Sequence, residues 1–325
     1  MKAATYYKYG SPEVLKVEEL PKPIPKASEV LIKVYAASVT SEDVTFRKAV
    51  PFVARLAMGM FKPKKHILGQ EYAGIIEDVG ESVKRFKIGD RVYGAIGLNS
   101  GSNAEYIALS ETEALSHIPD NVSFDEAAAS CGGFLTALPF LRDEGKIGEG
   151  KKILINGASG SVGSAAVQLA KHFGAEVTGV SSASNADLIE SLGADFIIDY
   201  TREDFTQSEN KYDIIFDAVG KSSFRKCRKS LNKNGKYLST VLSFSILGNM
   251  ILTSLFGNKK AKIIFTGLRS PEDKVNDIKF LSELLESREY KPVIDKIYSV
   301  EEVVQAHSYV EKGHKKGSVL LSFIK

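Results

Sequence analysis

The sequence predicts an α/β protein made of a β-rich N-terminal part and a doubly wound parallel sheet, and three observations carry that prediction. Residues 151–174, KKILINGASGSVGSAAVQLAKHFG, pass from a short apolar run through a glycine-rich turn into an apolar repeat of helical period, which is the order strand, turn, helix. Segments of period-two alternation crowd the first 110 residues and read as strands. At 325 residues the chain exceeds the common single-domain range, so two cores are expected.

The turn comes first because the rest is arranged around it. Gly157, Gly160 and Gly163 free it of β-carbons, so backbone N–H groups can approach a pyrophosphate while the helix start turns its positive dipole end there. The usual fingerprint is G-x-G-x-x-G, and Ala158 stands at its first glycine. The position of the turn between a strand and a helix is the context that gives the pattern meaning. Ala158, Ser159, Gly160, Ser161, Val162 and Gly163 are therefore assigned to a dinucleotide. Val162, Ala165, Ala166, Leu169 and Ala170 form the helix face, small where a helix lies close on a sheet.

Composition is that of an ordinary globular protein. The net charge of +3 argues against a dedicated nucleic-acid surface, and no nucleic-acid partner is expected. Cys131 and Cys227 lie far apart, and no signal-like stretch precedes the first strand, so a reducing cytoplasm is the expectation.

Met1 to Leu20 reads as two strands about a turn at Tyr9-Gly-Ser-Pro12. Prolines 21, 23 and 25 lead into EVLIKVYAASV, followed by the strands EYAGIIEDVG, DRVYG and AEYIAL. The segments YGSPEVLKVEELPKPIPKASEVLIKVYAASV, GQEYAGIIEDVG and KIGDRVYG, together with the later glycine turn, resemble the medium-chain dehydrogenase/reductase superfamily, and within it the zinc-free NADPH-dependent quinone oxidoreductase branch that includes the zeta-crystallins. The resemblance spans essentially the whole chain. It implies a GroES-like β-rich catalytic domain over residues 1–120, a Rossmann NADP(H)-binding domain over 121–267, and a segment over 268–325 that returns to the first domain. It also implies a homodimer.

In zinc alcohol dehydrogenases of the same superfamily, a Cys, a His and a Cys hold the catalytic zinc. By motif, those positions here are Thr40, Gln70 and Gly132. Cys131 and His66 stand nearby as the residues of a displaced site, and two cysteines cannot supply a four-cysteine structural lobe. No zinc is expected. Without a Lewis acid, hydride transfer to a quinone or a conjugated C=C is the natural reaction, because the acceptor is activated by its own carbonyl. The oxygen that gains charge wants a hydrogen-bond donor. Thr40 and Gln70 are the candidates, and for Thr40 the alternative is that it caps or packs a turn.

Phe46 to Lys65, FRKAVPFVARLAMGMFKPKK, is expected to form a helix beside Thr40 and Gln70, with Pro51 in an early turn. It either lines an apolar substrate pocket with Met58 and Met60 or serves packing alone. In Ser123 to Leu141 a capping box, Ser123 and Glu126, opens two helices broken at Gly132-Gly133. The resemblance places Thr136 at the nicotinamide. Cys131 reads as a buried small apolar residue.

GAEVTGV forms the second strand of the parallel sheet. Sites that prefer NAD place a carboxylate at its end. This chain has Ser181, Ser182, Ala183, Ser184 and Asn185, hydroxyls that accommodate a 2′-phosphate, so NADPH is expected over NADH. Ser184 takes the place of an arginine common in relatives, and Asp187 fits the next helix's first turn. Tyr200 matches a tyrosine that in relatives lies against the adenosine phosphate end, its alternative being an exposed aromatic. KYDIIFDAVG and GKYLST are the fourth and fifth strands. Their ends, Ala218, Val219, Gly220 and Ser239, fall on the carboxyl edge where open sheets bind ligands.

Residues 237–258 carry no charge and read as a strand followed by an apolar helix, placed at a subunit interface or pocket mouth, with membrane contact at most peripheral. The strand KIIFTGL brings Phe265 and Thr266 toward the nicotinamide by analogy. An amphipathic helix over 272–289 precedes a strand, a helix and a closing strand. Relatives often have a lysine after the last glycine, where Ser318 stands here, with Lys315 and Lys316 as substitutes at the cofactor's edge. The reading that results is an NADPH-dependent, zinc-free reductase of a small hydrophobic carbonyl or quinone. Its rivals are a non-enzymatic NADPH-binding sensor or structural protein and a zinc-independent alcohol dehydrogenase.

Overall fold

The computed structural model describes residues 1–50, 55–97 and 100–324, and the chain divides into two compact units. The first joins Met1–Gly132 to Arg269–Lys325. Its seven-stranded sheet is organised by the strand Glu29–Val39. That strand pairs antiparallel with Glu71–Val79 on one edge, and on the other with Tyr106–Ser110 at its start and Ser318–Ser322 at its end. Arg91–Ala95 and Ala114–His117 extend the sheet on one side and Ile294–Ser299 closes it on the other. The alternation of EVLIKVYAASV sends Val30, Ile32 and Val34 into a core with Tyr72, Ile76, Val92 and Leu115. Val39 joins a second core with Leu68, Val303, Ala306, Val319 and Leu321. The C-terminal segment thus supplies both a strand and much of a core to the N-terminal unit.

The second unit, Gly133–Leu268, holds a six-stranded sheet in the spatial order Phe196–Asp199, Glu176–Ser181, Lys152–Asn156, Tyr212–Asp217, Leu231–Ser239, Lys260–Lys262, parallel throughout. Numbered along the unit this is 3-2-1-4-5-6, the Rossmann order, whose switch point lies between Lys152–Asn156 and Tyr212–Asp217. Helix Ser161–His172 packs on it through Ala165, Ala166, Val167, Leu169 and Ala170, all at most 1% exposed. Burying Val167 and Leu169 contributes about 2 kcal/mol each. The expected two-part α/β architecture, with a GroES-like β unit and a Rossmann sheet, is what the chain adopts.

Three local expectations are corrected and one strand is added. The helix Phe124–Leu138 runs unbroken through Gly132-Gly133 and continues as a π-helical stretch, Pro139–Gly145. Those glycines serve close approach instead of a break. A β-carbon on Gly132 would fall 1.7 Å from Glu71 Oε1, and one on Gly133 would fall 2.4 Å from the Ser161 carbonyl oxygen. Among the described residues between Thr40 and Lys65 the helices are Ser41–Lys48, ended by Ala49 at φ 50°, and the single turn Arg55–Met58. Pro51 lies outside the described residues. The KIIFTGL strand is short and early, Lys260–Lys262, with a 3₁₀ turn at Thr266–Leu268. Strand Ala114–His117 had no counterpart in the sequence reading, because ALSH shows only a weak alternation. The capping box at Ser123 forms, Ser123 N donating to Glu126 Oε2 at 2.9 Å and Glu126 N to Ser123 Oγ at 3.2 Å. No helix among the described residues is long and apolar enough to cross a membrane.

Candidate active site

In the Rossmann unit the glycine turn is shaped by contacts that leave no room for side chains at Gly157 and Gly163. Gly157 has φ 84°, and a β-carbon on it would meet Val219 Cγ1 at 2.4 Å. One on Gly163 would meet the Gly157 carbonyl oxygen at 2.0 Å. The turn therefore folds down on the first turn of helix Ser161–His172, whose N-cap is Gly160, with no side chain to close the helix start. A helix N-terminus without a capping side chain turns its N–H groups and positive dipole end outward at the carboxyl end of the first strand. Ala158 is fully buried and both its N–H and that of Gly157 go to the Val180 carbonyl at 3.1 Å, which ties the turn to the neighbouring strand.

At the end of strand Glu176–Ser181 the predicted serines form one cluster. Ser182 Oγ and Ser184 Oγ lie 3.0 Å apart, Asn185 Nδ2 donates to Ser159 Oγ at 3.0 Å, and Ser181 Oγ donates to the Ser182 carbonyl at 3.0 Å. Asn185 is buried, and its Oδ1 has no protein partner. A buried acceptor left open beside hydroxyls fits the sugar and phosphate of a nucleotide, whose own hydroxyls can donate to it. Tyr200 is half exposed just beyond, its N–H on the Ser181 carbonyl at 3.1 Å.

At the switch point one carboxylate organises the next loop. Asp217 is wholly buried and accepts from five donors: Asn156 Nδ2 at 3.0 Å, Val219 N at 3.2 Å, Gly220 N at 2.9 Å, Ser222 N at 3.0 Å and the Tyr237 hydroxyl at 2.8 Å. Burial and this negative neighbour push the Tyr237 phenol far above its ordinary range, so it stays a donor. Asp217 thereby sets the shape of the expected cofactor loop Ala218, Val219 and Gly220. Ser239 closes the adjoining turn, accepting from Val241 N at 3.2 Å.

The first unit contributes a separate set. Thr40 is the N-cap of helix Ser41–Lys48, with a reciprocal capping box. Its hydroxyl donates to Asp43 Oδ2 at 2.8 Å and accepts from Asp43 N at 3.1 Å. Asp43 is wholly buried and also accepts from Gly69 N at 2.9 Å. Burial lifts its carboxyl to about 6, against the pull of those hydrogen bonds. Gln70 Nε2 donates to Glu42 Oε2 at 3.0 Å. The next residue, Glu71, is buried and pushed up to about 7, by desolvation first, with the Asp43 and Glu42 charges adding and Lys315 opposing. Lys315 is held down at about 8 by burial.

Two family models match the chain, "Alcohol dehydrogenase GroES-like domain" over residues 26–120 and "Zinc-binding dehydrogenase" over 192–321. A "2-methylene-furan-3-one reductase" of Solanum lycopersicum is 36% identical over 99% of this chain and 79% of its own length. This chain belongs to the medium-chain dehydrogenase/reductase superfamily. An "NADPH-dependent alkenal/one oxidoreductase, chloroplastic" of Arabidopsis thaliana is 33% identical over the same shares. Among solved structures, a quinone oxidoreductase of Coxiella burnetii superposes with TM-score 0.88 at 28% identity, covering 100% of this chain and 99% of that one. The Escherichia coli quinone oxidoreductase complexed with NADPH gives 0.83 at 26%, covering 99% and 100%.

As a member of this superfamily the chain is an oxidoreductase, and its Rossmann unit gathers most of the predicted nucleotide residues. Residues 158–163, the Ser181, Ser182, Ser184 and Asn185 cluster, Ala218, Val219, Gly220 and Ser239 all lie at the carboxyl ends of strands 1, 2, 4 and 5 of the sheet. Thr136 is half buried on helix Phe124–Leu138. Phe265 is half exposed and Thr266 opens the 3₁₀ turn after the sixth strand. Ser318 belongs to the first unit, buried, its hydroxyl donating to the Ala129 carbonyl at 2.9 Å. Cys131 is wholly buried and its thiol is pushed far above its ordinary range by burial, then by the Glu71 charge. The sequence reading passed over Asp217, Asp43 and Glu71. The available signal was an acid inside or at the end of an apolar strand or helix start, as in YDIIFD and GQEYAG, where only a partnered carboxylate survives burial.

Proposed function

We propose that this enzyme transfers a hydride from NADPH to a quinone or to the C=C of an α,β-unsaturated carbonyl, on a small hydrophobic substrate and without zinc. The observation that carries the reading is the cradle at 157–163, where β-carbons on Gly157 and Gly163 would strike Val219 and the Gly157 carbonyl beside an uncapped helix start. When bound, NADPH supplies the hydride. The turn amides would hold its pyrophosphate. The hydroxyls of Ser182 and Ser184 with Asn185 would receive the 2′-phosphate, and no carboxylate stands in the 181–185 loop to repel it.

The names of the relatives, a reductase of 2-methylene-furan-3-one and an alkenal/one oxidoreductase, and the quinone oxidoreductase neighbours support this substrate class. Such a substrate accepts hydride at carbon while its electron pair moves to the carbonyl oxygen, and solvent supplies the proton. Gln70 is the donor best equipped to meet that oxygen, since its amide carries a second N–H beyond the one on Glu42. Thr40 has a single hydroxyl proton, given to Asp43, and serves a substrate oxygen only by exchanging that bond.

The donor set does not suit zinc. A hydroxyl held by Asp43, an amide held by Glu42 and a glycine that abuts Glu71 stand where relatives use thiolate and imidazole. Cys131 and Cys227 are free and buried, which supports a reducing, cytoplasmic setting, and we place the chain there as a homodimer. The test is oxidation of NADPH against a panel of small enones and naphthoquinone, with and without chelator. Chelator-insensitive turnover is expected. An inert panel with NADPH still bound would refute the reaction.

A further inference from the structure

The helix Phe244–Leu255 is apolar on two faces. Ile246 and Thr253 are buried against the sheet, and Thr253 Oγ1 accepts from Ala261 N at 3.1 Å. On the opposite side Phe244, Ile251, Leu252 and Leu255, spaced as one helical face, are 95, 61, 59 and 70% exposed, and Phe256 follows at 72%. Single exposed apolar residues are ordinary, but a contiguous face of this kind marks an interaction surface.

The charge of the stretch that carries it has one sign, with Glu144 outside it pairing Lys236 at 3.6 Å and Lys262 at 3.8 Å. Residues 218–268 contain ten Lys and Arg and no Asp or Glu, in a chain whose net charge is only +3, so the small total hides a strong local asymmetry. Lys221, Arg225, Lys226, Arg228, Lys229 and Lys233 are exposed. The loop carrying the first of these lies against the start of the helix. A β-carbon on Gly220 would fall 2.7 Å from Val241 Cβ, and Ser222, Ser223 and Phe224 share a pocket with Ser243 and Ile246. At the other end Lys259 Nζ donates to the Arg228 carbonyl at 2.7 Å. Burial first, then the positive charges of Arg228 and Lys211, lower the Lys259 pKa. Cations flank both ends of the apolar face.

We propose that this face docks on the surface of an anionic lipid bilayer, with Phe244, Ile251, Leu252, Leu255 and Phe256 entering the headgroup boundary and the surrounding Lys and Arg meeting lipid phosphates. The helix has 12 residues, about 18 Å, too short to span. A two-fold contact between copies of this face would set its cations against themselves, with no acid in the segment to pair them. A nucleic acid would engage the cations and leave the leucines uncovered. The proposal does not depend on which substrate the enzyme reduces.

Flotation of the full chain with vesicles tests it. Phosphatidylcholine vesicles containing phosphatidylserine should carry the protein, pure phosphatidylcholine vesicles should not, and salt should release it. The paired change Leu252→Ser and Leu255→Ser should lower partition at least tenfold, and Arg225→Gln or Lys226→Gln about fivefold each. All should keep wild-type NADPH binding and urea midpoint, since these side chains are exposed and outside the nucleotide turn. The proposal is overturned by absence of flotation with phosphatidylserine, or by flotation that these changes leave intact. It is equally overturned if, without flotation, the arginine and lysine variants lose a single-stranded RNA gel shift, or the leucine variant alone shifts the sedimentation of a dimer to that of a monomer.

Discussion

Removing the Asp217 carboxylate tests the most densely connected point of the Rossmann unit. In Asp217→Ala, five donors lose their acceptor at once. The Asn156 amide and Tyr237 hydroxyl belong to buried side chains. The amides of Val219 and Gly220 belong to exposed residues and that of Ser222 to a half-buried one, so water takes up part of their loss. Leaving a buried donor unpaired costs about 1–3 kcal/mol, and the two buried side chains carry most of the loss, so a total of about 4 kcal/mol is expected, roughly 10 °C in melting temperature for a unit of this size. Asp217→Asn keeps one oxygen for Asn156, Val219 and Gly220, and Tyr237 can turn to accept from the new amide, which leaves Ser222 N alone and a cost of about 1–3 kcal/mol. Urea unfolding with equal m-values reads both. NADPH affinity should fall in the same order, because the loop Ala218–Gly220 is shaped by these bonds. An alanine variant with the wild-type midpoint and wild-type affinity would refute the role given to Asp217.

Four further outcomes follow from the same geometry. Gly163→Ala forces a β-carbon to 2.0 Å from a backbone oxygen, so the turn must lift from the helix, and NADPH affinity measured by fluorescence titration should drop at least tenfold, about 1.4 kcal/mol. Ser184→Asp puts a carboxylate beside Ser182 Oγ and should raise KM for NADPH tenfold or more while leaving KM for NADH within about twofold. Gln70→Ala should lower kcat about a hundredfold if the amide meets the substrate oxygen, with NADPH affinity unchanged. The fourth concerns Glu71, whose folded pKa of about 7 exceeds its ordinary 4.5, so the native state holds this proton more tightly than the unfolded chain. Its contribution to stability is therefore fully present below about pH 4.5 and is lost, to the extent of about 3 kcal/mol, as pH rises to about 7. Asp43, raised to about 6 from 3.8, adds a drop of the same sign, while buried His307, lowered to about 3, adds a rise up to about pH 6.5. The Glu71 share is therefore read as the difference between wild type and Glu71→Gln in denaturation scans, which should change by about 3 kcal/mol between about pH 4.5 and 7.

What was legible in the sequence were features written in local pattern. The 157–163 turn, the alternation of EVLIKVYAASV and the Ser123 capping box each carry their geometry within a dozen residues, and each formed. What escaped depended on partners far along the chain. Gly132 and Gly133 read as a helix break by propensity, yet the helix continues because Glu71 and the Ser161 carbonyl need the space that side chains would fill. Asp217 sits at the end of an apolar strand, and its five donors come from residues 156 to 237, a spread no local pattern records. Thr40 was legible as a position and ambiguous as a role, because a hydroxyl before a helix can cap it or face a ligand. Only the placement of Asp43 shows the cap.

The measurement that bears most directly on the account is titration of the purified full chain with NADPH and with NADH, read by protein or nicotinamide fluorescence. The cradle at 157–163 and the acid-free loop at 181–185 predict saturable binding of one NADPH per chain, tighter than NADH, and weakened by Gly163→Ala. Negligible affinity for both nucleotides, or affinity that Gly163→Ala leaves untouched, would contradict it.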